Sequence, residues 1–326
     1  MLDTTPYEHL SPDTIIGAVE SAGFYSDGRL LALNSYENRV YQVGIEGAQP
    51  LVVKFYRPGR WDDAAILEDH AFSQALAEDE IPVVAPLRNR AGETLLLFEG
   101  YRFALFPRQG GRTPELDVDE NLHWLGRFLG RIHAVGAIQP FRHRLNLEPE
   151  SFGARSVEFL LAGFLPLELE GPYRRLTGEL LAAVRELFGQ ARNCQRIRLH
   201  GDCHPGNILW TDDGPHFVDL DDCCMGPAIQ DLWMLLSGDP EEARHQLEAL
   251  LEGYRMFRNF DQRELRLIEA LRTLRIIYHA AWLARRWQDP AFPRAFPWFG
   301  THQYWQQHLE ILGQQRAALG SSASMA

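Results

Sequence analysis

Residues 197–222, IRLHGDCHPGNILWTDDGPHFVDLDD, constrain the fold more than any other stretch of the chain. A short apolar strand over 197–199 runs into a polar turn, and a second apolar strand follows at 208–210. Asp212, Asp213 and Gly214 then make a turn, and a third strand over 216–220 ends in acids. Asn, Asp and Gly between apolar runs signal a hairpin. Two polar groups, HGDCHPGN and DLDD, are therefore expected side by side at strand ends.

The residue types in those groups suit one chemistry. Asp202 precedes Asn207 by five residues, and Asp219 closes the hairpin. A carboxylate, then an amide five residues on, then an acid after a β-hairpin is the arrangement that serves phosphoryl transfer in kinases. A hydroxyl attacking a γ-phosphate needs a carboxylate to hold it in line and accept its proton. Mg²⁺ is a hard cation and takes oxygen ligands, here an amide oxygen and a carboxylate. Gly201, Pro205 and Gly206 suit a loop that turns tightly around metal and phosphate. The competing reading makes all of these turn residues, chosen for backbone reasons. It is accepted for Asp212 and Asp213, and set aside for Asp202, Asn207 and Asp219 together.

The chain of 326 residues is 45% hydrophobic and carries a net charge of −12. That apolar content supports a sizeable core. The negative balance argues against a nucleic-acid binder, which would carry a basic face, and against attachment to an anionic membrane surface. No apolar run is long enough to span a bilayer. The cysteines, Cys194, Cys203, Cys223 and Cys224, form no C-x-x-C and no secreted disulfide framework. No basic region followed by an apolar run marks a signal peptide near the start. A reduced, cytoplasmic protein, monomeric and free of membrane and nucleic acid, is expected.

In chain order, Ser11-Pro12 reads as a helix start and Gly23 as its stop. Strands are expected at 30–33, 40–45 and 51–56, with the polar turn NSYENR between the first two. Lys54 lies inside the third strand. It is either a surface lysine or a lysine that binds phosphate. A helix over 61–78 carries Glu68, which is either a solvated acid or the ion-pair partner that orients Lys54. Strands resume at 83–86, 94–98 and 101–106. The segment PRQGGR then reads as a hinge near 106–111, whose backbone would bind adenine in a kinase. Asp117 and Glu120 are placed for a capping box at the next helix, and His133 within that helix is read as structural. Helices are expected at 156–162, 173–188, 241–257, 262–286 and 303–319. Asp231 opens a helix after Gly226-Pro227, either as a dipole-favoured acid or as a buried brace for the loop before it. The aromatic and proline-rich RRWQDPAFPRAFPW is expected to cap the large lobe. The division is an N-lobe over 1–106, a C-lobe over 107–319 and a disordered tail over 320–326.

With these strings laid out, the chain resembles the aminoglycoside phosphotransferase/choline kinase-like superfamily. More closely, it resembles the bacterial stress response kinase A family, a Ser/Thr protein kinase group. The resemblance rests on LNSYENRVYQ, VVKFYRP, ILEDHAF, LHGDCHPGNILW, FVDLDD, GPAIQDLWMLL and RRWQDPAFPRAFPW, and it covers nearly the whole chain. It implies an α+β, two-lobed protein-kinase-like fold, with a small antiparallel sheet in the N-lobe and a larger helical C-lobe. It implies ATP and Mg²⁺, protein substrates with Ser/Thr acceptors, autophosphorylation and a role in stress response. Position by position, Asp202 would be the catalytic acceptor, and Asn207 and Asp219 the Mg²⁺ ligands. Lys54 and Glu68 would form the kinase ion pair, and Ser35 in the phosphate turn would contact ATP. No G-x-G-x-x-G is present; NSYENR stands in its place. Asp221 and Asp222 crowd Asp219, and which acid binds metal stays open. Two other readings compete. One keeps the chemistry and makes the acceptor a small alcohol of the aminoglycoside, choline or sugar type. The other groups His200, Cys203, His204, Cys223 and Cys224 into a zinc or redox site of a non-enzymatic protein.

Overall fold

The apolar alternation of β3 (Leu51–Phe55) builds the small lobe, because Val53 and Phe55 turn one way and Lys54 the other. The structure is a computed structural model and describes residues 6–324. Helix α1 (Pro12–Ser21) starts where Ser11 Oγ accepts the Thr14 amide at 3.1 Å. Its Ile15, Ala18 and Val19 pack on Val43, Val53, Phe55, Phe103 and Leu105 of the sheet. Strands β1 (Ser26–Leu33), β2 (Arg39–Ile45), β3, β4 (Leu96–Phe98) and β5 (Tyr101–Pro107) form a five-stranded sheet in the order β1-β2-β3-β5-β4. All of its pairings are antiparallel. Helix α2 (Asp63–Glu78), capped by Asp62 accepting the Ala65 amide at 2.8 Å, lies between β3 and β4 in sequence.

The expected strand at 83–86 is absent. Pro82 precedes it and Pro86 ends it, and neither offers an N–H to a ladder. Val83 makes one isolated bridge, and Val84 donates to the Phe217 carbonyl at 3.0 Å, tying this segment to the large lobe. After β5 the chain crosses at 108–111, and Arg112 exchanges backbone hydrogen bonds of 2.9 and 2.7 Å with Trp210.

The large lobe holds α3 (Asp119–Gly136), α4 (Arg155–Leu161), α5 (Leu167–Gln190), β6 (Ile197–Leu199), β7 (Ile208–Thr211), β8 (Gly214–Phe217), β9 (Cys224–Gly226), α6 (Ile229–Trp233), α7 (Pro240–Arg255), α8 (Ile268–Arg285), α9 (Ala291–Ala295) and α10 (His302–Ser324). No side chain caps α3, whose cap position is Val118, so the Asp117/Glu120 capping box does not form. Helix α5 begins at Leu167, six residues ahead of expectation, and carries Pro172 inside it. The expected helix over 262–286 is a 3₁₀ segment, Gln262–Leu267, followed by α8. Helix α10 runs through Ser324, so 320–324 are helical rather than disordered, and the rest of the expected tail, 325–326, lies outside the described residues. The α3–α7 crossing is close: a Cβ at Gly126 would meet the Leu250 carbonyl, and one at Gly253 the His123 carbonyl. The arrangement is the two-lobed α+β fold, with one apolar core filling the large lobe. Among the described residues no helix is long and apolar enough to cross a membrane.

Candidate active site

Strand β6 pairs antiparallel with β9, and β7 with β8, so two short ribbons present the loop 200–207 and the acids at 219–222 together. Thr211 Oγ1 donates to the Gly214 carbonyl at 3.0 Å and accepts the Asp213 amide at 3.2 Å; Asp212 and Asp213 are exposed residues of that turn. The Val218 amide donates to the Asn207 carbonyl at 3.0 Å, which puts Asn207 and Asp219 at one end of the hairpin.

Asp231 is the brace of the loop. It is fully buried, and its carboxylate accepts the His200 and Gly201 amides, each at 2.8 Å. His133 Nε2 adds a third contact at 3.0 Å, and the other ring nitrogen faces the Tyr254 hydroxyl at 3.0 Å. The structural reading of His133 therefore holds. Gly201 has φ +84°, and a Cβ there would strike the Asp222 carbonyl, so the turn requires glycine.

Asp202 points into a cavity of about 530 Å³ that Asn207, Asp219, Asp222 and Ser35 also line. Its Oδ1 accepts Arg275 Nη1 at 2.5 Å, and its Oδ2 lies 3.6 Å from His204 Nε2. Burial raises the Asp202 pKa, but the charge of Arg275 and the Arg275 hydrogen bond outweigh it and hold the carboxyl below its ordinary value. His204 accepts the Gly206 amide on Nδ1 at 3.0 Å, so that nitrogen carries no proton, and burial lowers the ring's pKa. Asn207 Nδ2 donates to the Asp202 carbonyl at 3.0 Å, which leaves the amide oxygen as the group free to ligate.

Three acids crowd the other side, and the structure separates them. Asp219 adopts the left-handed region at φ +60°, and its half-exposed carboxylate accepts Lys54 Nζ at 2.7 Å. Asp221 is buried and turned inward, accepting Asn38 Nδ2 at 3.0 Å and Arg60 Nη1 at 2.5 Å; Arg60 Nη2 reaches Asp222 at 2.5 Å. Burial of Asp221 opposes ionisation, yet Arg60, Lys54 and Arg144 drive its pKa down. Burial also works against the Lys54 ammonium, but Asp219, Asp221 and Asp69 overcome it and raise its pKa. The oxygen pair of Asn207 and Asp219 has the donor chemistry a hard divalent cation takes.

Glu68 does not meet Lys54. Its carboxylate accepts the backbone amides of Arg142, His143 and Arg144 at 2.6, 2.7 and 3.1 Å. Arg144, so held, donates to the carbonyls of Cys223 and Asp221 and stacks on Trp61. The α2 acid whose charge acts on Lys54 is Asp69, one residue on. The pattern of α2 contains the signal: Asp69 falls with Ala65, Ile66, Phe72, Ser73 and Leu76 on the buried face.

Sequence reasoning also missed Glu37, Arg275, Trp282 and Arg286. Glu37, in the turn between β1 and β2, meets Arg57 at 3.1 Å, Arg286 at 2.5 Å and Trp282 Nε1 at 2.6 Å. Ser35 lies in the same turn. No local pattern marks Trp282 and Arg286 as partners of Glu37, because they stand more than two hundred residues away in sequence, and Arg275 stands 73 residues from Asp202. The zinc reading fails on contacts. All four cysteines are buried and unpaired, burial pushes each thiol pKa up, and His200 Nε2 is bonded to the Val218 carbonyl. Among the described residues no group of three His, Cys, Asp or Glu could hold a metal.

The model of the phosphotransferase enzyme family matches residues 29–268. This chain belongs to that family. The phosphotransferase is 47% identical over 315 residues to "Serine/threonine protein kinase RdoA" of Salmonella typhimurium (strain LT2), covering 96% of this chain and 94% of the relative. It is equally similar, over the same shares, to "Stress response kinase A" of Escherichia coli (strain K12). In structure it resembles an amicoumacin kinase solved with AMP-PNP and Ca²⁺, at a TM-score of 0.70, 19% identity, and coverage of 94% and 93% of the two chains. The phosphotransferase is thus a kinase, with ATP as phosphoryl donor.

Proposed function

We propose that this kinase transfers the ATP γ-phosphate to serine and threonine hydroxyls of proteins, itself included, with Mg²⁺ as the cation, as part of a stress response. The observation that carries the acceptor class is the 47% identity over 96% of the chain to a serine/threonine protein kinase. The same reading places it in the cytoplasm, as a monomer that binds neither nucleic acid nor membrane.

Asp202 orients the acceptor hydroxyl and takes its proton as the bond to phosphorus forms. Held ionised by Arg275, it is ready to accept. Asn207 and Asp219 hold the cation, which when bound neutralises charge on the phosphates. Lys54, paired with Asp219, supplies a fixed positive charge beside them, and Ser35 in the turn contacts the nucleotide. Glu68 supports the site indirectly, by fixing the 142–144 segment that holds the acid loop.

One observation favours a second acceptor class. The cavity beside Asp202 is walled by Leu145, Leu147, Phe152, Leu271, Leu274 and Tyr278. Its volume of about 530 Å³ lies in the range of small-molecule pockets. Incubation with ATP and Mg²⁺ followed by phosphosite mapping separates the two. Phosphoserine or phosphothreonine is expected on the protein or on a generic protein substrate, and is expected to vanish in Asp202→Ala. No phosphoprotein, with rapid turnover on an amino alcohol, an aminoglycoside or a sugar, assigns the small-alcohol class instead.

A further inference from the structure

Among the residues that line the active-site cavity, Arg275 is the one lysine or arginine, set among Glu37, Asp202, Asp219 and Asp222. It stands on the face of α8 that also presents Leu271, Tyr278 and Trp282, at spacings of four, three and seven residues. Its Nη1 donates to Asp202 Oδ1 at 2.5 Å and lies 3.9 Å from Met234 Sδ. The side chain is 42% exposed and lines the cavity, and among the described residues no contact of its other guanidinium nitrogens competes with Asp202.

We propose that Arg275 is a catalytic residue of phosphoryl transfer: one arm of its guanidinium holds Asp202 while the other donates to the γ-phosphoryl group as it moves to the acceptor. Reach supports this. A hydroxyl served by Asp202 lies within about 3 Å of that carboxylate. Phosphorus in a near-attack arrangement lies about 3–3.5 Å beyond the hydroxyl oxygen. A guanidinium bonded to the same carboxylate is therefore beside the equatorial phosphoryl oxygens, where charge is spread in the transition state. The alternatives for a cation at that place are poor. The loop 200–207 contains no lysine or arginine, and its His204 uses Nδ1 to accept the Gly206 amide. Lys54 is engaged by Asp219. A planar fork can also bridge two oxyanions at once, which an ammonium does less well.

In the step itself the acceptor oxygen bonds to the γ-phosphorus. The bond from that phosphorus to the β–γ bridging oxygen breaks, and ADP leaves with the electron pair. The hydroxyl proton passes to Asp202, and Arg275 keeps its protons and its charge throughout. The inference rests on the assignment of Asp202 and is independent of which hydroxyl is phosphorylated. Slow transfer to water, measured as ATP hydrolysis, therefore tests it even if the protein-acceptor reading fails.

The experiment compares Arg275→Met, Arg275→Lys and Arg275→Ala with the parent protein, following ATP hydrolysis, autophosphorylation, binding of a fluorescent ATP analogue, and thermal melting. Loss of one transition-state donor lowers kcat by about 10²–10³-fold. That loss is expected in the Met variant, with nucleotide affinity changed by less than about threefold, a split that marks an interaction made only in the transition state. The Lys variant is expected to recover part of the loss. Guanidinium ion, added far below denaturing concentration, is expected to raise kcat of the Ala variant in a saturable way and to leave the Met variant unchanged. A residue that only positions Asp202 would instead shift the acidic limb of the pH profile, with full recovery by Lys and no response to guanidinium. That result overturns the proposal. So does a Met variant with near-parental kcat, a loss matched by lost nucleotide affinity, or a series in which even the Lys variant fails to fold.

Discussion

Asp219 occupies a left-handed backbone position at φ +60°, which for a residue other than glycine is held only when the surroundings fix it. The Lys54 contact and the short helical turn after it supply that fixing, and they aim the carboxylate at the cavity while Asp221 is turned inward. If Asp219 is the cation ligand, Asp219→Asn keeps the shape and removes the charge. Transfer is then expected to fall by several orders of magnitude with the melting temperature nearly unchanged, since cation neutralisation carries much of the catalysis in this chemistry. Near-parental turnover in the folded variant would move the ligand to Asp222, the other acid that lines the cavity. That Asp202, Asn207 and Asp219 meet at one cavity was legible in sequence because they sit within one continuous stretch whose turns and strands are local, and the Asp231 brace follows shortly after it. Arg275 was not, because its partner lies 73 residues away. Glu68 was misread through a single helical step. A helix rotates each successive side chain by about 100°, so Glu68, one step before the buried Asp69, points elsewhere.

At the scale of elements, the turn between β1 and β2 is set by contacts with the large lobe. Glu37 lies among Arg57, Arg60 and Arg286, and it accepts Trp282 Nε1 from α8. Asp289 adds a second anchor through Arg57 at 2.6 Å, and Tyr36 packs on Phe296 with ring centroids 4.8 Å apart. Glu37→Gln keeps an oxygen for Trp282 and removes the charge shared by three guanidinium groups. Breaking a buried ion pair in this way costs about 3–5 kcal/mol. Urea unfolding is expected to show that loss, and steady-state kinetics a raised KM for ATP with kcat less affected, because the loosened turn carries Ser35. An unchanged KM alongside the lost stability would mean that the turn is positioned by other contacts. The strands flanking this turn could be read from alternation alone. The missing strand at 83–86 shows the limit, since its apolar run satisfied the pattern while Pro82 and Pro86 removed the donors a ladder needs. The early start of α5 and the late end of α10 were lost for a different reason: tertiary packing carries a helix past the point where local sequence signals stop.

Across the whole molecule, buried titratable groups give stability two opposed responses to pH. Glu264 accepts the Ile229 amide at 2.9 Å; burial pushes its carboxyl up to about 7, that amide opposes the rise, the Asp261 charge adds to it and Arg258 opposes it. Asp69 is raised to about 6 by burial against the pull of Arg144 and Lys54. A carboxyl whose folded pKa exceeds its unfolded value binds its proton more tightly when folded. Its contribution is therefore full below the unfolded pKa and is lost as pH rises through the folded one. His308, stacked on Tyr173 and Tyr304, is lowered to about 4 by burial and then by His279, and His70 is lowered to about 3 by burial and then by Lys54. These imidazoles are folded neutral, so their contribution is full above about 6.5 and is lost as pH falls toward the folded value. Between pH 5 and 6 the folded state holds protons on the two carboxyls and the unfolded state on the two imidazoles. The four groups nearly cancel there, and single variants expose each part. Glu264→Gln keeps the acceptor for Ile229 and removes the titration. Relative to the parent it is expected to gain stability from pH 5 to 8, by at most about 3 kcal/mol for a shift of that size. His308→Phe keeps the ring stack and is expected to gain in the opposite direction, from pH 7 down to 4. Urea unfolding of the three proteins across that range reads both slopes. Difference curves that are flat, or that slope the same way, would show that these buried groups do not set the pH response.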